Sequence, residues 1–225
     1  MAVSVNGLCE RFPRLYHMAH ADAWASISRH GLLSTTALLD LFEIQGRARE
    51  VLESHHRPES VAIEHPRHGR AVIRDQKPMS EGALRKCLDG VTPREWYECL
   101  NGKVFFWLSA ERLERLLTAR AYRDTAHCVL TAKTAALVGR HLGRITLSPI
   151  NSGSTIFNPQ PRGRETFLPP GKYPFREWEE RRGGRDAVAE LAVDYGVPDI
   201  VDFVLRVEER RAGLPPRTLY QRDVQ

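Results

Sequence analysis

The chain has 225 residues, 42% of them hydrophobic, and a formal net charge of +5 at pH 7. This length and composition are enough to bury a full hydrophobic core, as one large domain or two small ones. No apolar run approaches the roughly 18 residues that cross a bilayer, and residues 1–8 have neither a basic start nor a signal-like apolar stretch. We therefore expect a cytoplasmic protein without membrane attachment.

The charge and the cysteines narrow the class of partner. A basic surface attracts a phosphate chain, so a nucleic-acid partner is compatible with the composition. Arginine greatly outnumbers lysine, however, and a GC-rich genome produces the same enrichment.

The four cysteines are scattered without a C-x-x-C pair, which favours reduced thiols over disulfides or a zinc site. The histidines near residues 55–68 lack a carboxylate or cysteine to complete a ligand set, so we expect no metal.

In chain order, the first predicted elements are a short strand over residues 14–20, which contains His17, and a helix over residues 22–30. Asp22 precedes this helix as a cap, and Gly31 follows it where a left-handed C-cap belongs.

The middle of the chain contains the remaining predicted helices. Thr92 and Glu95 form a capping box with Pro93 at the first helical position, which starts a helix that ends before Gly102. Ser109 caps another helix. Further helices are predicted over residues 36–53, 80–88, 133–142 and 174–182.

Strands are predicted over residues 61–64, 71–74, 104–108, 128–131, 144–147, 187–194 and 203–208. The strand 104–108 is apolar on both faces, which is typical of a central strand covered on both sides. Because the elements alternate irregularly, without a βαβ rhythm, the sequence predicts an α+β fold in one domain. The segment from Arg210 onwards is predicted to fray or to lie on the surface.

Two segments of the second half of the chain are candidates for function. Residues 149–170 are rich in Gly, Pro and Asn, which predicts either an extended loop that binds phosphate through its backbone or a plain surface connection. The strand 187–194 carries a carboxylate, Glu190, between small apolar neighbours. Such a group is either paired with a base across the sheet or lines a cleft, and the sequence leaves both alternatives open.

Motifs at opposite ends of the chain carry a resemblance to a known family. The first is Tyr16-His17-Met18-Ala19 followed by His30-Gly31-Leu32, and the second is Ala189-Glu190 followed by Val197-Pro198. Together they resemble ADP-ribosyltransferases, closest to the nucleic-acid-modifying DarT-like branch. The resemblance implies a split antiparallel or mixed β-sheet flanked by helices. It places an ADP-ribosyltransferase-like domain over residues 1–209 and a C-terminal tail over residues 210–225.

The resemblance also implies NAD+ as co-substrate, no metal, and roles for individual residues. Glu190 would be catalytic: it would bind a hydroxyl of the nicotinamide ribose and stabilise positive charge as the glycosidic bond breaks. His17 would hydrogen-bond a ribose of NAD+. The other implied cofactor-binding residues are the backbone of Tyr16 and Met18, the aromatic side chains Phe105 and Phe106 (or Trp107), Thr155 in the loop, and Arg74 for the pyrophosphate, with Arg47 and Arg49 as rivals.

The implied acceptor is a nucleic acid. Residues 172–186 precede the glutamate strand and would face the acceptor, with Arg176, Arg182 and Arg185 as its contacts. Valine at position 188 stands where arginine-modifying relatives carry a polar residue, which argues against a protein arginine as acceptor. A toxin or phage-defence role, with a macrodomain-type antitoxin or hydrolase as partner, is the corresponding biological expectation.

Three functions of different classes remain. The first is an NAD+-dependent mono-ADP-ribosyltransferase that modifies DNA or RNA. The second is an RNA 2′-phosphotransferase, which would consume NAD+ only with a 2′-phosphorylated RNA, and the third is a non-catalytic ligand-binding module on the same fold. The chain lacks G-x-G-x-x-G, Walker and G-x-S-x-G motifs, which removes the standard dinucleotide, NTPase and hydrolase interpretations.

Overall fold

Nine α-helices and thirteen β-strands are present within residues 4–223, the part of the chain that the computed structural model describes. The helices are α1 (Val5–Arg11), α2 (Trp24–His30), α3 (Thr35–Leu41), α4 (Gly46–Ser54), α5 (Glu81–Cys87), α6 (Pro93–Asn101), α7 (Ala110–Leu117), α8 (Thr134–His141) and α9 (Phe175–Arg182). The strands are β1 (Arg14–His20), β2 (Leu32–Leu33), β3 (Val61–His65), β4 (Gly69–Ile73), β5 (Leu88–Asp89), β6 (Lys103–Trp107), β7 (His127–Lys133), β8 (Ile145–Ser148), β9 (Arg162–Gly163), β10 (Glu190–Asp194), β11 (Gly196–Val197), β12 (Val204–Arg210) and β13 (Arg217–Gln221).

Seven of these strands form the main sheet, in the order β13-β12-β7-β1-β6-β10-β8. Each neighbouring pair in it is antiparallel. The other strands form two-stranded pairs, β2 with β11, β3 with β4 and β5 with β9. The architecture is therefore α+β in one domain, which confirms the predicted class.

Local sequence signals determine several helix ends as predicted. The capping box of α6 is present, with the Thr92 N–H donating to Glu95 Oε2 at 2.7 Å and the Glu95 N–H donating to Thr92 Oγ1 at 3.2 Å. Ser109 caps α7 by accepting a hydrogen bond from the Arg112 N–H at 3.3 Å. The apolar strand β6 lies in the middle of the main sheet, between β1 and β10. Its residues Val104 and Phe106 are buried on one face, while the other face is half-buried.

Several segments differ from the prediction. The helix predicted over residues 36–53 is divided into α3 and α4, because Glu43 adopts a left-handed backbone conformation, with φ at +56°, and ends the first helix. Helix α1 was not predicted; Ser4 caps it by accepting a hydrogen bond from the Gly7 N–H. The predicted strand 187–194 begins only at Glu190, which is the first paired residue of β10 and not its centre.

Residues 217–221 of the C-terminal segment form a strand and do not fray. After β12, the chain turns and adds β13 to the edge of the main sheet, where Val207 pairs with Tyr220. The Tyr220 ring lies 5.6 Å from the Trp24 ring, so this strand covers part of helix α2. Leu219 and Tyr220 are the only apolar residues of β13, too short a signal to predict a strand after the prolines at positions 215 and 216. Residues 1–3 and 224–225, the ends of the predicted domain and tail, lie outside the described residues.

The two motif segments at opposite ends of the chain contact each other. Leu32 in β2 pairs with Val197 in β11. Gly31 has φ at +85°, and a Cβ atom there would lie 2.3 Å from Pro198 Cα, so only glycine fits this position. These motif residues thus join α2 to the segment after β10.

Among the described residues, no helix combines the length and the apolar character that crossing a membrane requires.

Candidate active site in the seam of the main sheet

Two neighbouring strands of the main sheet separate from each other. β1 and β6 share one paired position, Tyr16 with Trp107, although β1 pairs with β7, and β6 with β10, along their whole lengths. A cleft of about 290 Å³ opens at this seam and is lined by residues 17–20 of β1 and 103–105 of β6. Its other walls come from the α2–α3 connection, from β4 and the residues after it, and from the loop that follows β8. A mostly apolar cleft with a few polar groups is the usual form of a small-molecule site.

His17 lies at the point where the strands begin to diverge. Its Nδ1 is 2.8 Å from the carbonyl oxygen of Phe105, across the seam. A carbonyl oxygen only accepts, so Nδ1 carries the hydrogen and Nε2 is left as an acceptor in the neutral ring. Burial, with a smaller contribution from nearby Arg74, lowers the pKa of His17 to about 4 against the opposing effect of the Phe105 bond. The ring is therefore neutral at physiological pH and suited to accept a hydrogen bond from a ligand hydroxyl.

Glu190 lines the same cleft and is only 4% exposed. Both of the hydrogen bonds that the structure gives it reach Oε2, from the Ser152 hydroxyl at 2.6 Å and from the Ser152 N–H at 3.1 Å. Burial raises its pKa to about 7, while the Ser152 bonds and the charges of Arg112 and Arg162 act in the opposite direction. The carboxyl group thus titrates near neutral pH, a property that is concentrated at functional sites.

Arg74 supplies a cation to the cleft. Its Nη1 donates to the Met18 carbonyl oxygen at 2.7 Å, and its guanidinium lies 4.6 Å from the centre of the Tyr122 ring. Its Nη2 is buried and has no hydrogen-bond partner among the described residues. Burial lowers the pKa of Arg74, yet arginine keeps its charge at physiological pH. A charged group with an unused donor is suited to bind an anionic ligand.

The loop after β8 brings Ser152 to Glu190 and is held on both sides. Arg162 is 3% exposed, and its Nη1 donates to the Ser152 carbonyl oxygen at 2.9 Å. Thr155 Oγ1 accepts a bond from the Ser80 N–H at 2.7 Å and donates to the Ser80 carbonyl oxygen at 3.0 Å. Arg182 Nη1 donates to the carbonyl oxygen of Pro149, where the loop begins. The loop is therefore an ordered wall of the cleft.

The structure brings together five of the predicted site residues and leaves others outside. The cleft is lined by His17, Met18, Arg74, Phe105 and Glu190, and also by Trp107, which was an alternative for the aromatic wall. It is not lined by Tyr16, Phe106, Thr155, Arg176, Arg182 or Arg185, nor by Arg47 or Arg49.

Each residue outside the cleft has a physical reason to be there. Phe106 alternates with Phe105 along β6, so its side chain is buried in the core, where its ring centre is 5.8 Å from that of His17. Tyr16 packs with Trp107 against helix α7. Thr155 is 1% exposed because it anchors the loop to Ser80.

The arginines predicted to face the acceptor lie on or just after helix α9. Arg182 holds the Pro149 carbonyl and lies 4.4 Å from the centre of the Trp178 ring. Arg185 is 3.9 Å from Glu111 and highly exposed, and Arg176 is exposed. These arginines precede the strand of Glu190 in sequence and lie outside the cleft.

Sequence reasoning missed three residues that shape the site. Ser152 lies in the predicted loop 149–170, but nothing local indicated that it would bind Glu190. Arg57 is 6% exposed and lines the cleft, with its three side-chain nitrogens bonded to the carbonyl oxygens of Arg74 and Leu52 and to Asn101 Oδ1. Tyr122 supports Arg74 and donates to Asp75 Oδ1 at 2.8 Å. Apart from the bond between Arg57 and Leu52, these contacts join residues that are 17 or more positions apart in sequence.

The part of the chain that the structure describes contains no cluster of three or more histidine, cysteine, aspartate or glutamate side chains able to hold a metal ion.

Comparison with known proteins identifies a family but no function. The sequence model of a family of unknown function, DUF7002, matches residues 13–204, a range that contains His17, Arg74 and Glu190. No curated protein and no solved structure matches the chain.

Proposed function

Since the chain belongs to the DUF7002 family, whose function is unknown, we propose from the site itself that this protein is an NAD+-dependent mono-ADP-ribosyltransferase acting on a nucleic acid. One observation carries the proposal: His17 and Glu190, from strands far apart in sequence, line one cleft where β1 and β6 separate. An open seam between two central strands is what the resemblance to the split sheet of DarT-like ADP-ribosyltransferases leads us to expect.

The groups in the cleft match the parts of NAD+. The acceptor Nε2 of neutral His17 suits a ribose hydroxyl, and the unused Nη2 of Arg74 suits the pyrophosphate. Phe105 and Trp107 provide aromatic surface for the nicotinamide ring. The fit therefore involves a hydroxyl acceptor, a cation and an apolar wall in a single cleft.

The proposed reaction breaks the bond between the ribose carbon and nicotinamide, which leaves with the bonding electron pair. A new bond forms from the same carbon to a nitrogen or oxygen of the acceptor, which releases a proton. Positive charge develops on the ribose as the first bond breaks, and an ionised Glu190 beside the ribose would stabilise it. Because Glu190 is buried, this electrostatic effect is only weakly screened by water.

Surface features beside the cleft support a nucleic-acid acceptor. The loop after β8 exposes Ile156 and Phe157, which are 64% and 88% exposed, a few residues from Asn151 and Gly153 of the cleft wall. Helix α9, with its arginines, is bonded to the base of the same loop through Arg182. Exposed aromatic side chains and arginines together bind single strands through base stacking and phosphate contacts. A cytoplasmic toxin with a macrodomain-type antitoxin or hydrolase as partner is part of this proposal.

The RNA 2′-phosphotransferase alternative is weaker because it requires additional free cations for the RNA phosphate. Three lysine or arginine side chains line the cleft among the described residues: Arg57, Arg74 and Lys103. Arg57 is bonded through all three nitrogens, and Lys103 is paired with Asp194. Only Arg74 keeps an atom without a partner.

The proposal is tested by incubating the protein with labelled NAD+ and separate pools of DNA, RNA and protein. We expect nicotinamide release with label on DNA or RNA, and a loss of at least a hundredfold in Glu190→Gln. Glu208→Gln is the matched control, since Glu208 is also a buried strand glutamate, 6% exposed, but pairs with Arg206 outside the cleft. Equal activity of Glu190→Gln and wild type would contradict the proposed mechanism, and label only on protein would contradict the acceptor class.

A further inference from the structure

Ser152 binds one side of the Glu190 carboxyl group twice. Its hydroxyl donates to Oε2 at 2.6 Å and its N–H donates to the same oxygen at 3.1 Å. Ser152 is 1% exposed and Glu190 is 4% exposed, so water does not compete freely for these bonds. Two donors on a single oxygen fix the rotation of the carboxyl group, and Oε1 remains for a ligand in the cleft.

Ser152 is itself held from behind. Arg162 donates from Nη1 to the Ser152 carbonyl oxygen at 2.9 Å and from Nε to the Gln160 carbonyl oxygen at 3.0 Å. Arg162 belongs to β9, which pairs with β5. β5 and β9 approach closely at Gly163, where a Cβ atom would lie 2.1 Å from the Asp89 carbonyl oxygen. This approach is possible because glycine has no side chain. A buried arginine thus connects a short sheet to the serine that contacts Glu190.

We propose that Ser152 is a positioning residue of the cleft: it holds Glu190 Oε2 so that Oε1 is presented to the ribose of NAD+, and Arg162 holds Ser152 in place. The inference rests on the proposed function for the role of Glu190. It assigns to the loop after β8 a task beyond lining the cleft, because the loop supplies the contact that orients the carboxylate.

The surroundings of Glu190 make Ser152 the main local donor. Arg112 on α7 is directed to Asp186, with Nη2 2.5 Å from Oδ1, and Arg162 is directed to backbone carbonyls. Both act on Glu190 through charge alone. His17 faces the same cleft as a neutral ring. A hydroxyl that donates to a carboxylate favours the ionised form, so its removal raises the pKa of Glu190.

The experiment titrates Glu190 directly, by NMR of protein labelled at the glutamate carboxyl carbon, with the signal assigned from its absence in Glu190→Gln. We expect the Glu190 midpoint to rise by about one pH unit in Ser152→Ala, and by less in Ser152→Cys because a thiol is a weaker donor. Ser54→Ala is the matched control: Ser54 is a buried serine that donates to a different glutamate, Glu98, at 2.7 Å. It should leave the Glu190 midpoint unchanged.

Nicotinamide release measured on the same variants connects the titration to catalysis. We expect the acidic limb of kcat/KM, which reports the free protein, to move upwards with the NMR midpoint. In Ser152→Ala, kcat/KM at pH 7 should fall about fivefold, with KM for NAD+ changed less than twofold. Unchanged midpoints in both Ser152 variants would overturn the positioning role while leaving the proposed function intact. A wild-type protein that releases no nicotinamide would contradict the proposed function, whatever the titration shows.

Discussion

At the scale of single residues, burial shifts the pKa values of His17 and Glu190 in opposite directions. Burial favours the neutral form of each, so the pKa of His17 falls to about 4 and that of Glu190 rises to about 7. Between pH 5 and pH 8, His17 therefore stays neutral while Glu190 loses its proton. The proposed chemistry needs the ionised carboxylate and the neutral ring, a combination that exists only at the upper end of this range.

The pH dependence of nicotinamide release follows from these values. We expect kcat/KM for NAD+ to rise with pH through a single inflection near pH 7, because Glu190 must be ionised in the free protein. His17 should add no inflection above about pH 5. The measurement is the initial rate at NAD+ concentrations well below KM, from pH 5 to pH 9. A midpoint at pH 5 or below, or a second inflection near pH 6.5, would show that the two groups do not titrate as their burial requires.

The stability of the protein should depend on the protonation of Glu190. The pKa of Glu190 in the folded protein is raised above the ordinary value of 4.5. The folded protein therefore keeps a proton that the unfolded chain releases between pH 4.5 and pH 7. Stability therefore decreases as pH rises through this window. We expect Glu190→Gln to be more stable than wild type at pH 8, by up to about 3 kcal/mol, and similar to it at pH 4.

Denaturant unfolding of wild type, Glu190→Gln and Glu208→Gln at pH 4 and pH 8 measures this difference. The gain at pH 8 should be absent in Glu208→Gln, because Glu208 is paired with Arg206. If Glu190→Gln is instead less stable at pH 8, Glu190 serves as a structural anion and not as a strained functional group.

Three polar residues that the resemblance named, His17, Arg74 and Glu190, line the cleft. Glu190 was also indicated by the sequence alone, because a carboxylate between small apolar neighbours of a strand requires a partner or a cleft. The same reasoning could not choose between Phe105 and Phe106, because both faces of β6 are apolar and the sequence does not show which one meets the seam. Ser152 and Arg57 act through contacts between distant segments, which leave no local pattern.

At the scale of elements, the short β5–β9 pair connects the loop to the site. The close approach of Gly163 to Asp89 leaves no room for a side chain, and Arg162 beside it reaches Ser152. We expect Gly163→Ala to lower the free energy of unfolding by about 1–3 kcal/mol, since backbone atoms must move apart. It should also lower nicotinamide release, because Arg162 moves with β9.

The matched control is Gly171→Ala, where a Cβ atom meets nothing within 4 Å. Its unfolding free energy should stay within about 0.5 kcal/mol of wild type. Thermal and denaturant unfolding of both variants, with rates measured in parallel, provide the comparison. Equal stability of the two alanine variants would show that β5 and β9 are not tightly joined.

Some local caps were predicted correctly, but the cap predicted at Asp22 was wrong: Asp22 lies in a short 3-10 turn, and Ala23 precedes α2 without a side-chain hydrogen bond. The Thr92 capping box and the Gly31 C-cap are encoded within one turn of chain and appear in the structure. The break at Glu43 depends on a left-handed residue without a glycine signal, and β13 depends on an existing sheet edge to pair with. Neither property is visible in a short window of sequence.

At the scale of the whole molecule, the fold brings two segments that are far apart in sequence together beside the seam between β1 and β6. β1 lies one strand away from β10, with β6 between them, and the pairing of β2 with β11 fastens the segments that follow β1 and β10. His17 and Glu190 are therefore brought to one cleft by topology and not by sequence proximity. The α+β class was predictable from the irregular order of elements, whereas the opening between β1 and β6 arises from long-range pairing.

The central claim is that this seam binds NAD+, and calorimetric titration of NAD+ into wild type, His17→Ala and Glu190→Gln tests it most directly. We expect saturable binding to wild type, affinity about tenfold weaker in His17→Ala through loss of one hydrogen bond, and retained binding in Glu190→Gln. Absence of binding to wild type at millimolar NAD+, or equal affinity of wild type and His17→Ala, would contradict the claim.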